Sequence, residues 1–551
     1  MFYSAIVIAA FLAFYAYLFY KRRKDERLFL VQIRNGWGKE WARERDFNQI
    51  ATYHSLKSQH TDLDKLDNRT WDDLNMNEIF AKIDHTVSPI GQQYLYHVLR
   101  TPKQSEPELL QRNRLFNLFA TSPTERERLQ RLFHCLNERE AFYLPHFFLK
   151  ELAAASHWQR LTPILAIATV LCMLLVYFSA LAIVPLLLLT SINTVSHFYY
   201  HQKIQMNLAS LRSLKMMIGV GNALSEIKNE HIGKHLTDLR HPLSRLRKLE
   251  RWLRSVVFDH SNLDELSKTF LQIVNIVTLF EVSAFVLSLE IIRQRQDDLH
   301  EVFTAIGYLE VTIAIASFRA GFATISEPQF TAPHKTLSVE NIYHPLLTNP
   351  VANSLSINGQ GMLVTGSNMS GKTTFIRTLG VNAVLAQTIY TTFAQSYQAP
   401  FLKVRCAIGR ADNLLEGKSY YLAEVEATRK LVKAAERNDQ CLFILDELLR
   451  GTNTIERIAA GKAVLEHLNQ KNHLVLATTH DNDLGELLNA QFECYHFQES
   501  VADDELSFDY KLRSGITTTR NAIALLAISG YPKAVIQSAL EAASLIEGKG
   551  R

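Results

Sequence analysis

The segment from Gly361 to Arg377 constrains the fold of this 551-residue chain more than any other. Gly361–Thr365 is an apolar run typical of a buried strand, residues 366–371 are rich in glycine and serine, and the sequence from Lys372 favours a helix. Glycines let the backbone curl so that its N–H groups and the helix N-terminus face an anion. The pattern predicts a phosphate-binding loop made of Gly366, Ser367, Asn368, Met369, Ser370, Gly371, Lys372, Thr373 and Thr374.

Two later apolar runs end in polar residues that would complete such a site. One run leads into Asp446 and Glu447, and another, which begins at Leu474, leads into His480. Parallel strands place their carboxyl ends at the reactive edge of a sheet. We therefore expect Mg²⁺ to be held by Thr373 and Asp446. The expected catalytic groups for ATP hydrolysis are Glu447 for the attacking water, His480 for the γ-phosphate and Lys372 for positive charge.

The overall composition gives little indication of a partner. The chain has 59 Lys and Arg against 55 Asp and Glu, a net charge of +4, so any basic surface must be local. Its five cysteines are far apart and form no CxxC or Cys/His pair. This spacing indicates neither a zinc site nor a disulfide framework, and it favours a reducing, cytoplasmic setting.

The first apolar segment has the length of a membrane helix. Residues 2–20 are uncharged. Their number is close to the ~20 residues that a helix needs to cross a hydrocarbon layer of ~30 Å. The basic run Lys21-Arg22-Arg23-Lys24 follows at once, so we expect the N-terminus outside and the rest of the chain in the cytoplasm. A cleaved signal peptide is the alternative, but its charges normally precede the apolar core.

A second apolar block, residues 161–198, is far longer than one crossing requires and is interrupted near Pro185. Two transmembrane helices in a tight hairpin fit this length. Arg160 precedes the block and Lys203 follows it, so both ends can stay in the cytoplasm. The alternative is a buried helical hairpin of a soluble domain.

The sequence around these segments predicts helices. Residues 25–160 and 202–323 carry long stretches of helix-period apolar residues with few Gly or Pro. Residues 270–292 are also apolar, but Gln272, Asn275, Glu281 and Glu290 interrupt them, so we expect a core helix there. Residues 236–254 concentrate Arg and Lys among leucines, which predicts a basic face that is solvated, lies on anionic lipid or contacts DNA.

These motifs resemble the MutS family of mismatch-repair ATPases. The phosphate loop is similar to the family's loop, including Asn368 and Met369, and further similar segments are 412–424, 446–454, 477–480 and 510–536. More faintly, residues 74–91 and 99–102 resemble the opening of the family's helical core. A short segment at 531–551 resembles the family's helical dimerisation region.

The resemblance implies a homodimer with composite ATP sites, in which Ser419 of one chain completes the phosphate shell of the other. ATP binding would favour a closed dimer and hydrolysis would release it, which implies a clamp on DNA held through backbone charge. The resemblance does not extend to mismatch recognition. No mismatch-reading domain precedes residue 74, and no Phe-x-Glu motif appears in the early chain.

Two other functions remain open. A transporter ATPase would also combine membrane helices with these nucleotide motifs, but no Leu-Ser-Gly-Gly-Gln-type signature precedes Asp446, and three spans are few for a translocation path. A membrane scaffold that dimerises with ATP and binds no DNA is consistent with the missing mismatch domain.

The expected fold is multidomain, with an N-terminal transmembrane helix, an α-helical domain like the MutS core interrupted by a transmembrane hairpin, and a C-terminal α/β P-loop ATPase domain. The expected localisation is the inner membrane, crossed several times, with the ATPase domain in the cytoplasm. The boundaries are 1–24 for the anchor and basic flank, 25–160 and 201–330 for the helical core, 161–200 for the hairpin, 331–530 for the ATPase domain and 531–551 for the dimerisation segment.

Overall fold

The computed structural model of the chain is mixed α/β and mostly helical. It describes residues 2–60, 65–152, 157–227, 232, 239–256, 265–367, 370–409, 420–502, 505–516, 523, 526 and 530–549. The chain forms two compact units. The helical unit consists of residues 1–63, 83–98 and 114–321, and the sheet unit consists of residues 64–82, 99–113 and 322–551.

The α-helices whose bounds the structure describes are numbered in chain order. They are α1 (Phe2–Asn35), α2 (Phe47–Ile50), α3 (Thr52–His60), α4 (Asn68–Asp73), α5 (Met76–Ile83), α6 (Pro89–Arg100), α7 (Glu106–Thr121), α8 (Pro123–His134), α9 (Pro145–Leu149), α10 (His157–Val176), α11 (Ile183–Ser225), α12 (Arg240–Val256), α13 (Glu265–Thr278), α14 (Phe280–Arg293), α15 (Gln296–Arg319), α16 (Lys372–Ile389), α17 (Tyr420–Ala435), α18 (Thr454–Leu468), α19 (Asn482–Leu488) and α20 (Lys533–Lys549).

The described strands all lie in the C-terminal part of the chain. They are β1 (Gln329–Phe330), β2 (Thr336–Ile342), β3 (Asn353–Asn358), β4 (Gly361–Thr365), β5 (Ser396–Ala399), β6 (Lys403–Ala407), β7 (Cys441–Asp446), β8 (Leu474–Thr478), β9 (Phe492–Ala502) and β10 (Glu505–Ser514).

Helix α15 forms the core of the helical unit. It is long and apolar enough to cross a membrane, but 78% of its apolar window is buried within the protein. Its Glu310 carboxylate accepts hydrogen bonds from the Val87 N–H at 2.6 Å, the Ser88 N–H at 2.7 Å and the Ser88 hydroxyl at 2.5 Å. Because these donors directly precede α6, Glu310 ties the start of that helix to the core.

The first helix is longer than the predicted anchor. Helix α1 continues through the basic run to Asn35, and its last turns pack on α8. Phe29 is buried and stacks on His134, with ring centroids 3.9 Å apart. Arg34 donates two hydrogen bonds to the Glu127 carboxylate, at 2.8 and 2.7 Å. The C-terminal end of α1 is therefore a packed part of the helical unit.

The second apolar block forms the two helices that the sequence predicts. Helices α10 and α11 pack against each other and are joined by a short turn that contains the 3₁₀ segment Ala180–Ala182. The window Ala180–Tyr199 is long and apolar enough to cross a membrane and is only 17% buried, and the shorter window Arg160–Val176 is also apolar. Large apolar side chains such as Ile167, Leu174 and Leu188 are exposed.

The prediction of one core helix at residues 270–292 is wrong, because the chain breaks there into α13 and α14. Leu279 links the two helices in the left-handed region, with φ of 53°. A leucine rarely adopts this conformation, so the surrounding contacts must impose it. Both helices pack against α10 and α11.

The larger sheet of the sheet unit has the strand order β10-β9-β4-β8-β7-β6. All neighbouring pairs are parallel except β9 and β10. Strands β4, β7 and β8 are almost fully buried, in line with their continuous apolar sequences. A second sheet has the order β1-β5-β2-β3. The parallel order brings the C-terminal ends of β4, β7 and β8 to one edge.

Helix α4 belongs to the sheet unit, although the sequence assigns residues 25–160 to the helical core. Asp73, its last residue, is buried and accepts hydrogen bonds from the N–H groups of Ile408 and Gly409, both at 2.8 Å. The Asp73 carbonyl accepts a bond from Arg377 Nε at 2.6 Å. This early segment therefore supports the end of β6 and the helix after the predicted phosphate loop.

Candidate nucleotide site

The predicted phosphate loop connects β4 to α16, as the sequence indicates. Gly366 and Gly371 have φ of 135° and 102°, conformations that favour glycine. A Cβ atom at Gly366 would lie 2.9 Å from the Phe497 carbonyl oxygen, and one at Gly371 would lie 3.2 Å from the Tyr510 ring. Both glycines are thus required by the path of the loop. Asn368 and Met369 lie outside the described residues.

Lys372, the first residue of α16, is buried against the loop. Its Nζ donates to the carbonyl oxygens of Gly366 and Ser367, both at 2.7 Å. Burial lowers the pKa of Lys372 to about 8, while the charge of Asp446 opposes this shift. The ammonium group therefore sits inside the curl of the loop and is charged at neutral pH.

The loop serines are fixed by hydrogen bonds that the sequence does not predict. Ser367 Oγ donates to Glu499 Oε2 at 2.5 Å, and Ser370 Oγ donates to the Ser367 carbonyl at 2.8 Å. Glu499 lies on β9, which pairs with β4. A side chain of the neighbouring strand β9 therefore holds the loop at Ser367. Thr374 lies in the first turn of α16.

Thr373 and Asp446, the two expected metal ligands, lie in direct contact. Thr373 Oγ1 donates to Asp446 Oδ2 at 2.9 Å, and Thr478 Oγ1 donates to Asp446 Oδ1. Asp446 and Thr478 are paired in register on β7 and β8, which explains why the second hydroxyl reaches the same carboxylate. The described residues hold no group of three His, Cys, Asp or Glu that could bind a metal. Mg²⁺ in phosphate-binding sites usually takes only one or two ligands from the protein, and the rest from phosphate and water. The Asp446 carboxylate and the Thr373 hydroxyl fit this small set.

Glu447 and His480, the expected catalytic pair, are brought together at the ends of β7 and β8. His480 Nε2 lies 2.5 Å from Glu447 Oε1, and Lys372 Nζ lies 4.0 Å from the same oxygen. Arg450 contacts the other carboxylate oxygen. Glu447 has φ of 51°, and its N–H donates to the Thr478 carbonyl at 3.1 Å. Burial, assisted by the charge of Lys372, lowers the pKa of His480, so its imidazole is neutral at pH 7.

A cavity of about 460 Å³ adjoins the loop within the sheet unit. Its lining combines loop residues such as Lys372 and Thr374 with His344, Leu347 and Tyr510. Burial lowers the pKa of His344 to about 4, so this imidazole is neutral. His344 and Leu347 follow β2 and belong to no motif, and sequence reasoning therefore missed them.

Ser419, expected to act in the partner's site, lies outside the described residues. Residues 410–419 are not described, and helix α17 begins directly after them at Tyr420. The expected site residues that the structure describes converge on the edge formed by β4, β7 and β8.

Comparisons with known proteins match this same region. Residues 362–547 match the family model of MutS domain V, from β4 of the larger sheet to the C-terminal helix α20. The region from β4 to α20 is therefore similar to domain V of MutS proteins.

Its relatives include several MutS proteins. The DNA mismatch repair protein MutS of Streptococcus sanguinis is 28% identical over 48% of this chain and 33% of its own length. MutS of Thermus aquaticus is 28% identical over 45% of this chain and 30% of its own length. The Drosophila melanogaster DNA mismatch repair protein spellchecker 1 is 29% identical over 42% of this chain and 26% of its own length. The chain thus covers a third or less of the length of each of these relatives.

Proposed function

We propose that this protein is a membrane-held, Mg²⁺-dependent ATPase of the MutS family that acts on DNA as a dimeric clamp. The observation that carries the proposal is the convergence of Lys372, Asp446, Glu447 and His480 around one glycine loop. These side chains come from three strand ends of a parallel sheet, where such folds bind their ligands.

In this proposal the loop N–H groups and Lys372 bind the ATP phosphates. Lys372 would exchange its bonds to the Gly366 and Ser367 carbonyls for bonds to phosphate oxygens. The Thr373 hydroxyl and the Asp446 carboxylate would hold Mg²⁺, which neutralises charge on the phosphates when bound. The cavity beside the loop, lined by Leu347, His344 and Tyr510, offers room for the nucleoside.

Glu447 is the proposed base for the attacking water. Its carboxylate contacts Arg450 and His480, so its position is set by two neighbouring groups. A neutral His480 can donate one hydrogen bond and accept another, which suits a group that orients water or contacts the γ-phosphate. The Glu447→Gln variant should keep nucleotide binding and lose turnover.

The dimer and DNA parts of the proposal rest on the family relationship. Ser419 of one chain would complete the partner's phosphate shell, and α20 lies in the segment proposed for dimerisation. A described surface suited to DNA phosphates is the exposed face of α12. Arg245 and Arg254 there are paired with Asp298 and Glu250, but Arg247 and Arg251 have no carboxylate partner among the described residues.

The membrane part rests on the hairpin. Helices α10 and α11 expose a continuous set of large apolar side chains that water would solvate poorly. Trp158 and Tyr199, both exposed, lie near the open ends of the two helices, where aromatic residues mark membrane interfaces. Residues 2–20 of α1 are the proposed third span, and the inner membrane is the proposed location.

The proposal is tested by ATP hydrolysis of the intact protein in nanodiscs, with and without homoduplex, mismatched or branched DNA, across a salt series. We expect Mg²⁺-dependent turnover that DNA stimulates and that salt weakens. Lys372→Ala should weaken ATP binding, whereas Lys462→Ala, which removes a surface lysine on α18, should not.

Turnover without any response to DNA would favour a membrane scaffold that dimerises with ATP. ATP-driven movement of a solute into proteoliposomes would favour a transporter. Charge reversal of Arg247 and Arg251 should lower DNA affinity. The slope of log affinity against log salt concentration should become shallower by about 0.9 for each phosphate contact that is lost.

A further inference from the structure

The bend between α13 and α14 is tied to the middle of the hairpin. Asn193 of α11 is fully buried, and its Nδ2 donates to the Val277 carbonyl at 2.7 Å and to Thr169 Oγ1 of α10 at 2.8 Å. The left-handed Leu279 interrupts the helix two residues after this carbonyl. Asn193 therefore joins α10 and α11 to the backbone at the break by hydrogen bonds.

The position of Asn193 sets the depth of this bend. Asn193 lies eleven residues after Ala182, where the hairpin turn ends. At about 1.5 Å per residue this is roughly 16 Å, about half of the ~30 Å hydrocarbon layer. Thr169 likewise lies near the middle of the α10 apolar window. If the hairpin spans the bilayer, Val277 and Leu279 must lie close to its midplane.

The charged residues that flank the bend agree with this depth, if α13 and α14 are taken as its two arms. Residues 269–289 contain a single ionisable residue, Glu281, and Lys268 and Glu290 flank them at eleven residues on either side of Leu279. Eleven helical residues span roughly 16 Å, so positions 268 and 290 would lie near the membrane surface. Asn275 and Glu281, two of the polar residues that favour a core helix in the sequence, are half-buried within the protein, whereas the exposed positions on the described parts of α13 and α14 include Ile273, Phe280 and Leu287.

Both arms must return to the same side. Helix α12 precedes α13, helix α15 follows α14, and α12 and α15 pack against each other. A straight crossing by α13 and α14 would place these two partners on opposite sides of the membrane. Near the base of the second arm, Trp252 Nε1 of α12 donates to Ser288 Oγ at 3.0 Å, which places an aromatic residue at the level of the interface.

We propose that α13 and α14 form a re-entrant element that enters the bilayer beside the hairpin and turns at Leu279 near the midplane. Its outer face, which includes Ile273 and Phe280, contacts lipid hydrocarbon. Backbone that leaves the helix is tolerated at this depth only where protein covers it, and the amide of Asn193 provides that cover. The inference rests on the proposed membrane insertion of α10 and α11.

The test uses nitroxide labels on single cysteines in the full chain, reconstituted in nanodiscs. Cys135, Cys172 and Cys494, the exposed and half-buried native thiols, are first replaced by alanine. The test variants are Ile273→Cys and Phe280→Cys. Leu188→Cys is the control for the hairpin, and Ile455→Cys, which is 83% exposed in the sheet unit, is the control for water.

Oxygen partitions into hydrocarbon and a nickel chelate stays in water, so the ratio of their relaxation effects reports depth. We expect the ratio at Ile273 to match that at Leu188, the ratio at Phe280, which lies nearer the midplane, to be higher, and all three to exceed that at Ile455. Water-like ratios at both test positions with a lipid-like ratio at Leu188 would refute the re-entrant element and leave the hairpin proposal intact. A water-like ratio at Leu188 would refute both.

Discussion

Asp73 offers a sharp test of how the sheet unit is built. Its two carboxylate oxygens each accept one backbone N–H hydrogen bond, from Ile408 and Gly409. Residues 410–419, which include Ser419, come directly after Gly409 in the sequence. The Asp73→Asn variant keeps one acceptor oxygen and turns an NH₂ group towards the other N–H. One buried donor is then left without a partner, and the remaining bond loses its charge assistance.

The expected cost is about 3 kcal/mol, because an unsatisfied buried donor costs about 1–3 kcal/mol and a charge-assisted bond is about 1 kcal/mol stronger than a neutral one. For a unit of this size, about 2–4 °C per kcal/mol lowers Tm by roughly 6–12 °C. Scanning calorimetry of the intact protein in detergent measures this change in Tm. The unfolding transition of the sheet unit is identified as the one that an ATP analogue shifts.

Asp72→Asn is the matched control. It removes the same charge one residue away, where the side chain is exposed, so its Tm should stay within about 2 °C of the wild type. Equal transitions for Asp73→Asn and Asp72→Asn would refute the claim that α4 supports the end of β6.

Two further predictions concern the phosphate loop. The pKa of Lys372 is about 8 in the structure, so ATP affinity should fall by about twofold from pH 7 to 8 and by up to about tenfold per pH unit above that, as titration calorimetry would detect. Constant affinity to pH 9.5 would contradict the role of its charge. Gly371→Ala should lower ATP affinity at least about tenfold, because an alanine there combines a φ of 102° with a close contact to Tyr510. Gly359→Ala, at φ of 80° with open space around it, is its control and should bind ATP normally.

The sequence predicts the local parts of the nucleotide site because their signals are local. Gly361–Thr365 and the helix from Lys372 follow from apolar runs and glycine spacing, and the structure has both elements at these residues. The contact of Thr373 with Asp446 follows from the rule that parallel strands end at one edge.

Other features depend on contacts that no local pattern encodes. Ser367 meets Glu499 only because β9 pairs with β4, more than a hundred residues away in sequence. Asp73 reaches β6 across an even longer separation. Leucine has no preference for positive φ, so the break at Leu279 has no sequence signal. In the structure it lies beside the tertiary bond from Asn193 to the Val277 carbonyl, which local patterns do not encode either.

The most direct test of the ATPase proposal compares the wild type with Glu447→Gln, measuring Mg²⁺-dependent phosphate release and ATP binding on the same preparations. We expect ATP affinity to agree within about threefold and turnover to fall by about 10²–10⁴-fold, since only the proposed base is changed. Equal turnover in the two proteins, or a wild type that neither binds nor hydrolyses ATP, would contradict the proposal.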